Sequence, residues 1–165
     1  MIRTNAATCL AASFAILVSS GAFASTDITK LVQKSDVESA LGGSFSEPAV
    51  KELPAPLGGK QINFTGNGLP VKTYSLSVRT DADVAPPLKA SGMTAAKMYQ
   101  QAKAMWSASG KIEPLVIKGG EGFSSGNTTA ILKNGIYMSA ITLFGGSKQA
   151  AAARNALTLK AADRL

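Results

Sequence analysis

The dipeptide Asn134-Gly135 stands between two apolar runs, Thr129 to Leu132 and Ile136 to Phe144. Asn and Gly most readily take the positive φ required at both central positions of a type I′ turn, and that turn matches the twist of two antiparallel strands. The two runs are therefore expected side by side as a hairpin. An isolated hairpin is marginal in water, so further strands or helices must cover its apolar face.

The rest of the chain supplies them. "KQINFTG" and "LPVKTYSLSVRT" read as strands, and the second alternates Val71, Thr73, Ser75, Ser77 and Arg79 against Lys72, Tyr74, Leu76 and Val78. The face bearing Tyr74, Leu76 and Val78 is the one expected inside. "IEPLVI" is a further strand. Residues 43 to 59, with Pro48, Pro54 and Pro56, read as loop with at most an edge strand. "TDITKLVQKSDVESALGG" predicts one helix or two short ones, with Ser35 and Glu38 as a capping box and Gly42 as terminator. "MTAAKMYQQAKAMWSASG" places Ala95, Met98, Tyr99, Ala102, Met105 and Trp106 on one stripe, ended by Gly110, and this stripe is expected to be core. An alanine-rich helix starting near Ser147 carries Ala150, Ala153, Leu157 and Ala161 on a small-residue face. The expected fold is α+β: a mainly antiparallel sheet of about five strands packed by helices, in the order α-β-β-α-β-β-β-α.

The first 24 residues read as a secretory signal. One early arginine, Arg3, precedes an apolar stretch from Leu10 to Val18, and Ala22-Phe23-Ala24 has the pattern of a signal-peptidase site. The stretch is far short of the roughly 20 residues a spanning helix needs, so no transmembrane span is expected, and Cys9 precedes the apolar core where a lipidation cysteine would follow it. Residues 25–165 form one expected domain, placed in the periplasm or secreted. With Arg3 gone, sixteen basic residues face ten acidic ones. That balance favours anionic surroundings such as an anionic polymer or surface. Lys97 and Lys103, six apart on a helix, lie on different faces, and no aromatics interleave with basics, so no nucleic-acid partner is expected.

The chain has no histidine, and its one cysteine lies in the signal. Ser-His-Asp and Cys-His schemes and the usual zinc and haem ligand sets are therefore missing. No catalytic residue, metal or cofactor is expected. Asp81 and Asp83 in "RTDADV" have the spacing of half a Ca²⁺ loop but lack its other ligands and its glycine, so a turn is the expected reading. "VIKGGEGFSSGN" resembles a phosphate cradle only loosely. Gly120 and Gly122 are followed by Ser125 where a dinucleotide loop needs its third glycine, and no Lys follows Gly126 as a P-loop requires. The stretch is expected to be a flexible connection or bulge. If it binds anything, Lys118, Glu121, Phe123 and Asn127 are the candidate ligand or partner rim.

Three segments together, "ITKLVQKSDVESALGG", "KGGEGF" before "AILKNGIYMSAITL", and a closing alanine-rich helix ending in Arg-Leu, resemble small exported bacterial domains of unknown function with a PsbP-like α/β layout. Relatives of that pattern often carry a lipobox cysteine and another in the first strand, where this chain has Asn63 and Phe64. The resemblance implies a binding or accessory role and carries over no catalytic residue. The expected function is thus a non-enzymatic exported module of the bacterial envelope engaging an envelope protein or small ligand. The alternative is an inhibitor or immunity-type protein whose basic surface blocks an acidic enzyme cleft. Intact-mass measurement of exported protein is expected to give a chain starting at Ser25 with no lipid; a species retaining Met1 would refute the cleavage assignment.

Overall fold

A computed structural model describes residues 26–165 apart from positions 57, 111 and 144–147. The expected signal, its cleavage site and the start of the last helix near Ser147 lie outside the described residues. Two short helices come first, α1 (Ile28–Leu31) and α2 (Lys34–Leu41). The capping box of α2 falls two residues earlier than Ser35 and Glu38 would place it. Asp36 Oδ2 accepts from the Gln33 backbone N–H at 3.0 Å, while Glu38 Oε1 accepts from the Phe45 N–H at 3.0 Å and so anchors the following loop.

Three strands follow, β1 (Ala49–Glu52), β2 (Lys60–Thr65) and β3 (Thr73–Arg79), then α3 (Pro86–Ala90) and α4 (Ala95–Ser109). Four more strands, β4 (Glu113–Leu115), β5 (Gly120–Ser125), β6 (Thr128–Lys133) and β7 (Ile136–Thr142), lead to α5 (Lys148–Asp163). The strands form one sheet in the order β1-β2-β3-β7-β6-β5-β4, antiparallel at every interface. The fold is α+β as expected, but among the described residues the sheet has seven strands, not about five, and there are five helices where three were expected.

The two additional strands come from a segment read as loop with at most an edge strand, which β1 is, and from one read as a flexible connection or bulge. All four residues of β1 are exposed, so no apolar alternation marks it. β5 is the glycine-rich stretch itself. A Cβ on Gly122 would stand 2.5 Å from Ile117 Cδ1 and 3.0 Å from the Ala130 carbonyl oxygen, so any side chain there would displace Ile117. Glycine lets Ile117, just past β4, fold onto the strand as it stands. The β5–β6 connection is the two-residue turn Gly126-Asn127, with Gly126 at φ 53°. Asn134 (φ 51°) and Gly135 (φ 73°) make the expected β6–β7 turn.

Helices cover both faces. On one, α1, α2 and α5 pack over Ile62, Phe64, Tyr74, Leu76, Ile131 and Met138. The buried set on β3 is thus the expected Tyr74, Leu76 and Val78. At the edge of this layer Asp36 is bonded by Arg164 and by Lys160 (2.7 Å). Burial pushes its carboxyl upward, but these two cations and the Gln33 N–H outweigh it and hold it well below the usual carboxylate range. On the other face α4 lies over β6 and β7, where Ala95, Met98 and Tyr99 pack with Phe123, Ala130 and Tyr137. Ala102 and Trp106 are partly buried against this cluster, whereas Met105, expected in the stripe, is 62% exposed. The buried stripe runs i, i+3, i+4, i+7, i+11, and Met105 at i+10 falls off its edge.

Phe123, expected on an exposed loop, is fully buried, with its ring centroid 5.7 Å from that of Tyr99. It belongs to the core and not to a rim. Phe123→Ser is expected to cost about 3–5 kcal/mol. Glu121→Ser, which loses a half-exposed ion pair to Lys103 and an exposed hydrogen bond from Gln100, is expected to cost about 1 kcal/mol. Urea denaturation of both variants checks the difference.

Candidate functional site

The four residues of the expected rim do not form one. Phe123 points into the core, and Glu121, on the same face of β5, accepts from Gln100 at 2.8 Å and Lys103 at 2.9 Å on α4. Lys118 is exposed before β5 and Asn127 exposed in the turn after it, at opposite ends of a six-residue strand. The two aspartates of "RTDADV" serve local structure: Asp81 Oδ1 accepts from the Ala95 N–H at the start of α4, and Asp83 Oδ2 from the Thr80 N–H and hydroxyl. No group of three or more His, Cys, Asp or Glu able to hold a metal ion occurs among the described residues.

A different surface is left open. Side chains alternate across a strand, so the register fixes which residues share the face beneath α4. That helix lies over β5, β6 and β7, and among the described residues its main packing leaves β1, β2 and β3 aside. One rung across the open half carries Lys51, Gln61, Ser77 and Ser139. The next carries Ala49, Asn63, Ser75 and Ile141, and beyond it Thr65 pairs with Thr73. Ser75 donates to Asn63 Oδ1 at 2.7 Å, which leaves the Asn63 amide N–H groups directed elsewhere. No carboxylate stands on any of these rungs.

Arg79 sits where the open half meets the covered half. It pairs in register with Tyr137, its guanidinium lies 5.6 Å from the centre of that ring, and its Nη1 makes a long contact to Ser139 Oγ at 3.5 Å. Its Nε is buried without a hydrogen-bond partner among the described residues. Burial pulls its pKa down, opposed by Tyr137 and Asp83, but a guanidinium stays protonated in proteins. None of the ion pairs among the described residues involves it. The aromatic ring fixes the cation in place while leaving donors available, a geometry suited to an oxygen acceptor.

Two other places were candidates by shape or chemistry. A cleft of about 370 Å³ between residues 42–45 and 66–72 has polar walls, but Asn67 there bonds Ser46 and Ser44, and Lys72 Nζ caps α2 through the Leu41 and Gly42 carbonyls. Arg154 of α5 is 1% exposed on the opposite face of the sheet and is surrounded by hydroxyls. It donates to Thr129 Oγ1 (2.7 Å), Ser124 Oγ (3.0 Å) and Thr142 Oγ1 (3.4 Å). Sequence reasoning did not single out Arg154. Its position four residues after Ala150 and three before Leu157 put it on the buried face, and that signal was available.

No protein-family profile, curated protein or solved structure matches this chain. Because Arg154 is buried without a carboxylate partner among the described residues, its charge adds little net stability and its packing adds more. Arg154→Ala is expected to destabilise by about 2–5 kcal/mol, with Arg154→Met recovering more than half of that loss. Thermal unfolding of the two variants tests this; equal losses would refute it.

Proposed function

We propose that this protein is an exported, non-enzymatic binding module of the bacterial envelope, and that it engages its ligand on the open half of the sheet. The observation that carries the reading is the contrast within one face of one sheet. Under α4 the face is apolar and filled by Tyr99, Phe123 and Tyr137. Beyond β7 it becomes an array of hydroxyl, amide and cationic groups, in which Gln61, Asn63, Ser75 and Ser139 are partly exposed and Ser77 is buried between them. A sheet that merely needed solvation on one side could use any polar residues, including the glutamates that surface strands accept freely. Here the array lacks carboxylates and holds one arginine, Arg79, whose guanidinium makes a single long contact, to Ser139 Oγ at 3.5 Å, among the described residues. Its Nη groups are thus left for an oxygen acceptor. Export agrees with the Ala22-Phe23-Ala24 pattern, and the non-enzymatic reading with the missing histidine.

The test is an NMR titration of ¹⁵N-labelled protein with soluble envelope extract. Backbone amide shifts are expected at Gln61, Asn63, Ser75, Ser77 and Ser139. Shifts gathered on α2 and α5, or none at all, would count against this face.

A further inference from the structure

Resting on that reading, we infer that the open face binds an acidic polysaccharide: an extended, hydroxyl-rich sugar chain bearing spaced carboxylates. Three features narrow the chemistry to this class. The first is sign. The rungs from Lys51 to Ser139 and from Ala49 to Ile141 hold one cation, Lys51, and no acid, and Arg79 stands on the rung beyond. The one carboxylate that acts on Arg79, Asp83, is bonded to Thr80, so a ligand rich in oxygen acceptors meets little repulsion there.

The second is charge spacing. Lys51 and Arg79 mark opposite corners, two strands apart and two residues along, which places their Cα atoms roughly 12 Å apart by standard sheet dimensions. One carboxylate cannot reach both. Only these two cations stand on the array, so the ligand has sparse charges joined by neutral segments, unlike a polyphosphate or nucleic acid with a charge on every unit.

The third is what fills the space between the corners. Gln61 and Ser139 lie on one rung, with Asn63 and Ser75 alongside; these four are partly exposed, and together they offer both donors and acceptors. That is the complement of sugar hydroxyls, which also do both. An acidic peptide would instead find its best partner in the main chain of a sheet edge, where strand addition satisfies its backbone; on a sheet face its amides meet only side chains. Arg79, held over the Tyr137 ring, presents its planar donors to one carboxylate, and Lys51 at the β1 edge takes the next as a point charge.

Calorimetric titration of the exported protein with a galacturonate hexamer tests the inference, with its methyl ester, a neutral glucan hexamer and poly-glutamate of matched charge as comparisons. Binding of the hexamer is expected, roughly 10- to 100-fold weaker for the methyl ester and for Arg79→Gln, as befits loss of hydrogen bonds to a charged group. Gln61→Glu and Lys51→Glu, near the sheet surface and away from both cores, place a negative charge on the array and are expected to weaken binding as strongly; they carry the test if Arg79→Gln does not fold. Equal affinity for poly-glutamate, or indifference to the Gln61 and Lys51 substitutions in folded protein, would reduce the effect to general attraction between opposite charges and overturn the inference. If no probe binds while envelope extract still shifts the β2, β3 and β7 amides, the acidic-glycan assignment falls and the binding face remains.

Discussion

The pairing of β3 with β7 makes one domain out of two meanders. Every other interface in the sheet joins strands adjacent in sequence: β1-β2-β3 on one side and β4-β5-β6-β7 on the other. From Tyr74 opposite Thr142 to Arg79 opposite Tyr137, six rungs bring together residues some sixty positions apart. The loop closed by this contact is long, and the entropy of closing it grows only slowly with length. Each meander alone would leave an apolar face bare. Once joined, Leu76 and Ala140 sit side by side under α1, α2 and α5, and Ser77 and Ser139 meet on the opposite face. The interface that completes the core thus also brings the two halves of the proposed binding array together.

Much of the frame was legible because it depends on local signals. The Asn134-Gly135 turn, the alternation in β3 and the Ala95, Met98 and Tyr99 stripe follow from backbone preference and periodicity, and each appears where expected. β5 was hidden because its glycines usually mark loops. They serve a contact with Ile117 and neighbouring carbonyls that exists only once the sheet is built. The Gly126-Asn127 turn was a readable clue that a strand precedes it. β1 had no such clue, since a strand exposed along its whole length has no apolar period. The site was less legible than the frame. The polar set Thr73, Ser75, Ser77 and Arg79 was visible as the outward face of a strand, but which part of that face stays uncovered depends on where α4 lands.

Two arginines without carboxylate partners among the described residues show how position changes the meaning of the same side chain. Arg154 is enclosed, and its donors are matched by three hydroxyls from β5, β6 and β7. It orients a helix whose other buried residues are mostly small and grip the sheet weakly. Arg79 stands at the boundary of the open array, braced by an aromatic ring, its guanidinium making a single long contact among the described residues. Enclosure with satisfied bonds points to architecture, and partial burial with donors left for an acceptor points to recognition.

The two outer edges of the sheet differ. β4 is three residues long and has Pro114 at its centre, whose ring nitrogen carries no hydrogen to offer a neighbouring strand. β1 at the other end is open, flanked but not interrupted by proline, and carries Lys51. Head-to-tail joining of sheets, the route to a fibre, needs both edges to accept a strand. With a donor missing from the centre of so short a strand, β4 is the poorer edge, and pairing between copies of this chain favours β1 against β1, a closed two-fold pair, over an open fibre.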